Sequence, residues 1–169
     1  MDELTRTSAA APAMSRTRFL VQAALIGAVY AALTMALAPL SYGPVQMRVS
    51  EALTVLPYFT PAAIPGLFVG CFLANLISPV GAVDVVCGSL ATLLAACASY
   101  GLRKWRFLTP LPPVLFNAVI IGTMLYYVYD VDLSLPLNMA WVGLGQLVAC
   151  YVLGYPLLRL LEKHRRIFR

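Results

Sequence analysis

Charged side chains are scarce in this sequence. Of its 169 residues, 11% are charged and 61% are hydrophobic, whereas an average soluble domain is about 25% charged. The mean hydropathy is +0.83. A soluble chain of this length could not cover its surface with so few charges. The composition therefore excludes an ordinary soluble protein and predicts an integral membrane protein.

Residues that carry catalysis or bind metals are scarce as well. The single histidine, His164, lies in a basic stretch near the C-terminus. The sequence contains no H-E-x-x-H, and no G-x-x-x-x-G-K-[ST] with which it could hydrolyse ATP itself. The four cysteines lack C-x-x-C or Cys/His spacing and are expected to be small packing residues: Cys71, Cys87, Cys97 and Cys150. We therefore expect neither enzymatic activity nor a metal or cofactor.

Long apolar segments, in contrast, are abundant. Five of them cover residues 19–40, 61–77, 84–100, 110–129 and 136–160. The first is longer than a signal-peptide core and is expected to be a retained helix. A sixth segment, 49–59, would extend only about 16 Å as an α-helix, half the hydrocarbon thickness. Hydropathy alone leaves open whether this short segment crosses the membrane or only enters it.

The distribution of basic residues indicates that the segment 49–59 crosses the membrane. Eleven of the twelve Lys and Arg residues form three clusters: Arg6, Arg16 and Arg18; Arg103, Lys104 and Arg106; Arg159, Lys163, Arg165, Arg166 and Arg169. The positive-inside rule places all three clusters in the cytoplasm, which requires an even number of spans between them. The net charge of +5 therefore reflects the orientation of the chain in the membrane. We expect no nucleic-acid partner.

The predicted fold is thus an all-α bundle of six transmembrane helices with a short second helix and both termini cytoplasmic. Residues 1–17 are expected to be a disordered N-terminus, 18–162 the membrane domain and 163–169 a basic tail. The outer loops would be 41–48, 78–83 and 130–135, the last with Asp130 and Asp132. Arg48 is the one basic residue on the outer side.

Polar residues inside the spans are the candidates for contact with a substrate, because a charge at the bilayer centre costs at least ~2.5–3.5 kcal/mol. They are Arg48, Glu51, Asn75, Asp84, Asn117, Asn138 and Gln146. Structural alternatives exist: a local Arg48–Glu51 ion pair with Ser50 as helix cap, Asp84 as a cap, and amides that only join helices. Together the residues predict a polar cavity that opens outward. Tyr126, Tyr127 and Tyr129 predict an aromatic belt, or a ring that stacks on a planar ligand.

Small residues recur at intervals of four along three helices. The rows are Ala24, Ala28, Ala32 and Ala36; Gly66, Gly70 and Ala74; and Gly88, Thr92 and Ala96. Such rows lie on one helix face and allow close approach of another backbone. For the second and third rows we expect contacts within the bundle. The alanine row serves either internal packing or docking of a separate membrane protein.

Several longer segments resemble a known family. The run 46–75 (QMRVSEALTVLPYFTPAAIPGLFVGCFLAN), GSLATLLAA (88–96), PLPPVLFNA (110–118) and GQLVACYVLGYPLL (145–158) are similar to the QueT family, and the resemblance covers about 18–165. It implies an S component, the substrate-binding subunit of an energy-coupling factor (ECF) transporter, in the bacterial cell membrane. The implied ligand is a 7-deazaguanine precursor of queuosine. The implied partners are a transmembrane coupling subunit, which would meet the alanine row, and two cytoplasmic ATPases. Residues 41–47 would form a lid.

The ligand chemistry implied by the resemblance can be assigned to particular side chains. Glu51 would accept hydrogen bonds from the N–H and NH₂ edge of the base, and Arg48, Asn138 or Gln146 would donate to its carbonyl. Asp84 would pair with a cationic aminomethyl group. The alternatives are an S component for another vitamin or nucleobase, an ion-coupled secondary transporter and, least favoured, a membrane enzyme.

Overall fold

The computed structural model describes residues 14–41, 47–78, 81–128 and 133–168. Within these ranges the chain forms helices and turns and contains no strand. Helix α1 (Arg16–Ala36) is followed by the short α2 (Ala38–Ser41), a 3₁₀ helix (Val49–Tyr58), α3 (Ala63–Leu76), α4 (Ala82–Gly101), α5 (Leu111–Val128) and α6 (Leu135–Leu147). A π-helical segment (Val148–Gly154) joins α6 to α7 (Tyr155–Glu162), and a 3₁₀ turn (Arg165–Phe168) follows.

The bundle has an apolar surface, as expected in lipid, and buries charged and polar side chains beside its hydrophobic core. Large hydrophobic side chains such as Leu20, Leu25 and Ile77 are more than 60% exposed, whereas Glu51 and Asp84 are buried. Four helical stretches are long and apolar enough to span a bilayer: Arg16–Ala36, Ala82–Gly101, Leu111–Val128 and Leu135–Glu162. The predicted helical membrane bundle is therefore confirmed.

The 3₁₀ helix Val49–Tyr58 lies at the centre of the bundle, and we call it the central helix. It packs against α1, α3, α4, the π-helical segment and α7, and seven of its ten residues are buried. The predicted short second helix is thus present, although the sequence did not predict its 3₁₀ form. A 3₁₀ helix rises about 2 Å per residue, so these ten residues extend about 20 Å.

Glycines allow α1 and α3 to pack in direct backbone contact. A Cβ atom added to Gly70 would lie 2.7 Å from the carbonyl oxygen of Gly27, and one added to Gly66 would lie 2.7 Å from that of Ala23. The rows Gly66–Gly70–Ala74 and Gly88–Thr92–Ala96 are both buried, which confirms their predicted role inside the bundle.

Two helices differ from the predicted segments for local reasons. Helix α3 begins at Ala63 and not at residue 61, because Pro61 lies in a turn where the Thr60 hydroxyl accepts the Ala62 N–H at 3.3 Å. The last span runs from Leu135 to Glu162, close to the predicted 136–160, but includes the π-helical segment. Pro156 cannot donate to the carbonyl four residues earlier, so the helix widens immediately before it.

Candidate functional site

All seven predicted substrate-contacting side chains point into the bundle. Each of them is at most 5% exposed: Arg48, Glu51, Asn75, Asp84, Asn117, Asn138 and Gln146. They come from the central helix and its N-cap, α3, α4, α5 and α6. Six of them are joined into one buried polar centre: Arg48, Asn75 and Asp84 by an ion pair and a hydrogen bond, Glu51 and Asn117 by proximity, and Gln146 through Cys150. Asn138 is buried in the same bundle.

Arg48 and Asp84 form a buried ion pair in this centre, with 3.0 Å between Nη2 and Oδ2. The same carboxylate oxygen accepts from the Ser78 hydroxyl at 3.3 Å, and Asn75 Nδ2 donates to the backbone carbonyl of Asp84 at 3.0 Å. The pair joins the N-cap of the central helix to the first turn of α4. Arg48 thus pairs with Asp84 and not with Glu51.

Two of the structural alternatives are wrong in detail. Gly81, with a φ of 105°, is the N-cap of α4 and offers no side chain to cap it, and the Asp84 carboxylate points inward to Arg48 instead of capping the helix. Ser50 likewise caps nothing: Arg48 is the N-cap of the central helix, and the Ser50 hydroxyl lies 2.6 Å from that of Thr34 on α1.

Glu51 occupies the middle of the centre and is 1% exposed. Its Oε1 accepts a hydrogen bond from the Tyr30 hydroxyl at 2.5 Å, and the Asn117 side chain lies close to the same carboxylate. Its Oε2 makes no hydrogen bond within the described residues. One oxygen of a buried carboxylate is therefore held by the protein while the other keeps its accepting capacity.

Tyr30 and Thr34 were missed as site residues by the sequence reasoning. Both are completely buried, and each contacts a polar side chain of the central helix. A signal was present: two polar residues four apart on an apolar helix, offset by two positions from the alanine row. Two positions correspond to about 200° around an α-helix, so the two rows lie on opposite faces of α1.

The cysteines contribute more polar contacts than expected. Cys71 Sγ accepts from Thr92 Oγ1 at 3.3 Å and from Asn75 Nδ2 at 3.5 Å. Cys150 Sγ lies 3.7 Å from Gln146 Oε1 and donates to the Glu51 carbonyl at 3.7 Å. These two are buried as expected for packing residues, whereas Cys97 is exposed on α4. All four are free thiols.

Five predicted site residues retain hydrogen-bonding atoms that the described residues do not satisfy. The acceptors are Glu51 Oε2, Asp84 Oδ1 and Asn75 Oδ1, and the donors are Asn117 Nδ2 and Asn138 Nδ2. More than about 90% of buried polar groups in proteins have a partner, so such a concentration requires an explanation. Unused donors and acceptors buried inside a bundle are typical of a site for a polar ligand.

The alanine row lies on the surface of the protein. Ala24, Ala28, Ala32 and Ala36 are all exposed along α1, so they do not take part in packing within the described bundle. Tyr126 and Tyr127 are also exposed and contact each other edge to face, with 5.0 Å between the ring centroids, which suits an aromatic belt. Tyr129, Asp130, Asp132 and most of the predicted lid 41–47 lie outside the described residues.

Metal-binding groups do not gather in the part of the chain described. No set of three His, Cys, Asp or Glu side chains lies close enough together to hold an ion in residues 14–41, 47–78, 81–128 and 133–168. The two charged groups at the polar centre that would attract a cation, Glu51 and Asp84, are instead bound to Tyr30 and Arg48.

Comparison with known proteins agrees with this architecture. The profile of a family described as "QueT transporter" matches residues 20–163. A relative named "Queuosine precursor transporter QueT", from Lactococcus lactis subsp. cremoris (strain MG1363), is 40% identical over 82 residues, 47% of this chain and 48% of the relative. The chain is therefore aligned with about half the length of that relative. No solved structure matches the chain.

The family match covers most of the chain, including the central helix, α3, α4, α5 and the last span that build the polar centre. It also agrees with the apolar surface of the bundle, which fits a multi-pass membrane protein. A transporter family accounts for a buried polar centre without catalytic groups better than an enzyme family would. The resemblance predicted from the sequence is confirmed: this chain belongs to the QueT transporter family.

Proposed function

We propose that this chain is the substrate-binding S component of an ATP-driven ECF importer and that it binds a 7-deazaguanine precursor of queuosine from outside. The name of the relative from Lactococcus lactis supports the ligand class. The observation that carries the proposal is the buried Glu51 carboxylate, with one oxygen held by Tyr30 and the other unbonded within the described residues. ATP would be hydrolysed by partner subunits.

The proposed topology has six crossings with both termini cytoplasmic. The three basic clusters meet at one end of the bundle: Arg18 Nη2 donates to the Ile167 carbonyl at 3.4 Å, and Arg106 Nη1 lies 3.5 Å from Glu162 Oε2. This common end would be the cytoplasmic one under the positive-inside rule.

The central helix extends to that same end. Its N-cap, Arg48, bonds to Asp84 at the start of α4, whereas the ring of Phe59 stacks on Phe168 at 5.0 Å. Tyr58 donates to Glu162 at 2.9 Å. These contacts at both ends support the central helix as the second crossing, and under this topology the Arg48–Asp84 end would be the outer one.

Ligand recognition would use the unsatisfied atoms of the polar centre. Glu51 Oε2 would accept from the N–H and NH₂ edge of the base, while Asn117 and Asn138 would donate to its carbonyl. Asp84 Oδ1 would receive a cationic aminomethyl group, as Oδ2 already binds Arg48. Arg48 would hold Asp84 in place rather than donate to the base.

This arrangement would make the site selective. Each buried donor or acceptor left without a partner costs about 1–3 kcal/mol, so a ligand without the matching polar edge would bind much less tightly. Sites that hydrogen-bond such edges reject analogues strongly, whereas purely apolar pockets do not.

The test is binding by the purified protein to a panel of ligands. A 7-deazaguanine with an aminomethyl group should bind, whereas riboflavin, thiamine and biotin should not. Binding of one of these vitamins and not of the deazaguanine would indicate an S component with a different substrate. Uptake by this chain alone in liposomes with an ion gradient would contradict the ECF assignment.

Partner docking would use the exposed alanine row of α1. Replacing Ala28 and Ala32 with Leu would fill this face and should abolish assembly with the coupling subunit while ligand binding remains. Ala140→Leu, at an exposed position of α6, is the control and should assemble normally. Loss of ligand binding in the double variant would show that the row serves the fold instead.

A further inference from the structure

An exposed groove lies beside α7 and includes none of the residues of the polar centre. Tyr155, Pro156, Arg159, Leu160 and Lys163 line it, and its volume is about 450 Å³. Leu160 is 56% exposed, and the surface of the groove is almost wholly apolar. Arg159 and Lys163 contribute their stems to the lining, and both side chains are exposed at its border. An apolar groove beside cations at the end of a membrane helix is suited to a lipid with an anionic headgroup.

The loop after α4 extends this surface. The Phe107 ring contacts that of Tyr155 with 6.0 Å between centroids, and Arg106 lies 3.5 Å from Glu162. The neighbouring residues Arg103 and Lys104 are exposed. The loop therefore brings Arg106 to the last residue of α7, and its other cations are exposed to solvent or lipid headgroups.

Negative charge on this surface is almost fully neutralised. Among residues 14–41, 47–78, 81–128 and 133–168 the carboxylates are Glu51, Asp84 and Glu162, and the first two are buried in the polar centre. Glu162 accepts from Tyr58 and pairs with Arg106. The groove thus has excess positive charge and attracts an anion.

Aromatic side chains place this surface at the membrane boundary. Trp105 and Phe107 are each 63% exposed, and they alternate with the cations Lys104 and Arg106 along the sequence. Aromatic rings are enriched at the level of the lipid headgroups, while cations reach the phosphates. The combination argues for a lipid rather than a soluble anion.

We propose that the groove Tyr155–Lys163 binds an anionic phospholipid such as phosphatidylglycerol, with Arg159 and Lys163 at the phosphate and an acyl chain along Pro156 and Leu160. The bound lipid fastens the cytoplasmic end of α7 to the inner leaflet. This site rests on the proposed topology but does not involve the ligand-binding residues.

Trp105 provides the probe. The sequence contains two tryptophans, so Trp141→Phe leaves Trp105 as the only one, two residues before Phe107, whose ring contacts Tyr155 of the groove. The protein is placed in vesicles with a small fraction of brominated phosphatidylglycerol or brominated phosphatidylcholine, and quenching of Trp105 gives the relative association of each lipid. Phosphatidylglycerol should associate at least tenfold more strongly, because each cation near an anionic lipid surface strengthens binding about fivefold.

Two double variants, each of which removes two positive charges, distinguish binding in the groove from general electrostatic attraction between the protein and anionic lipids. Arg159→Gln with Lys163→Gln should reduce the preference for phosphatidylglycerol at least tenfold, whereas Arg16→Gln with Arg18→Gln should leave most of it. Equal loss in both variants, or no preference in the parent, would overturn the site. The groove variant should still bind the deazaguanine ligand, because its substitutions lie outside the polar centre. Retained ligand binding would show that the variant is folded, whereas failure of the parent itself to bind the ligand would count against the proposed function and not against the lipid site.

Two further arms identify the occupant. Excess glycerol phosphate should not relieve the quenching, and relief would mean that the groove binds a soluble anion. In vesicles of phosphatidylcholine alone, the groove variant should assemble with the coupling subunit and ATPases as well as the parent does. Failure to assemble there would make the surface a protein-docking site and would overturn the lipid proposal.

Discussion

Replacing Gly70 with Ala should separate α1 from α3 and weaken both the fold and ligand binding. The added Cβ would lie 2.7 Å from the Gly27 carbonyl oxygen and 2.9 Å from Tyr30 Cβ. The first distance is about 0.7 Å short of the 3.4 Å at which ordinary contact begins. Since the opposing atoms include backbone, the helices themselves must move apart.

The expected cost follows from overpacking. Extra methyl groups in well-packed interiors cost about 1–3 kcal/mol. The movement would also draw the Tyr30 hydroxyl away from Glu51, and Glu51 is the proposed partner of the ligand. Each 1.4 kcal/mol of binding free energy lost in this way should raise the Kd of the ligand about tenfold.

The measurement is the free energy of unfolding in mixed micelles, by titration with a denaturing detergent, together with the Kd of the ligand. Gly101→Ala is the matched control, because a Cβ at Gly101 would have no atom within 4 Å. It should unfold like the parent or gain up to about 1 kcal/mol from helix propensity. Equal stability of the two variants would refute the close backbone contact between α1 and α3.

Two further predictions concern the charged groups of the polar centre. Asp84→Asn should lower the free energy of unfolding by about 3–5 kcal/mol because it leaves Arg48 buried without its carboxylate, and adding Arg48→Met should recover most of that loss; additive losses in the double variant would contradict the ion pair. Tyr30→Phe should cost about 1.5–3 kcal/mol through the lost hydrogen bond to Glu51, whereas Tyr127→Phe, at a residue 72% exposed, should change little in the same unfolding titration.

Much of the fold could be predicted because hydropathy and charge act over whole segments. The bounds of α4, α5 and the last span agree with the predicted segments to within two residues. The 3₁₀ form of the central helix and the π-helical segment could not be predicted in this way. The 3₁₀ form depends on tertiary packing, such as the approach of Gly154 to Ala52, which no local pattern in the sequence records. Pro156 marks a disturbed turn in the last span, but it does not by itself specify a π-helix.

The site was predicted as a set of residues but not as a set of pairs. Burial of charges in lipid is costly enough that every polar residue singled out within a span was found inside. Which residue pairs with which depends on the relative rotation and height of several helices. The sequence therefore suggested Glu51 as the neighbour of Arg48, whereas the fold joins Arg48 to Asp84 and Glu51 to Tyr30.

The most direct test of the proposed site is the equilibrium binding of an aminomethyl 7-deazaguanine to the purified protein and to its Glu51→Gln variant. A hydrogen bond to a buried charge contributes about 1.5–3 kcal/mol, so the variant should bind on the order of 10- to 100-fold more weakly. Glu162→Gln, which alters a carboxylate at the opposite end of the bundle, should bind like the parent. Unchanged affinity in Glu51→Gln would contradict the assignment of Glu51 to the base.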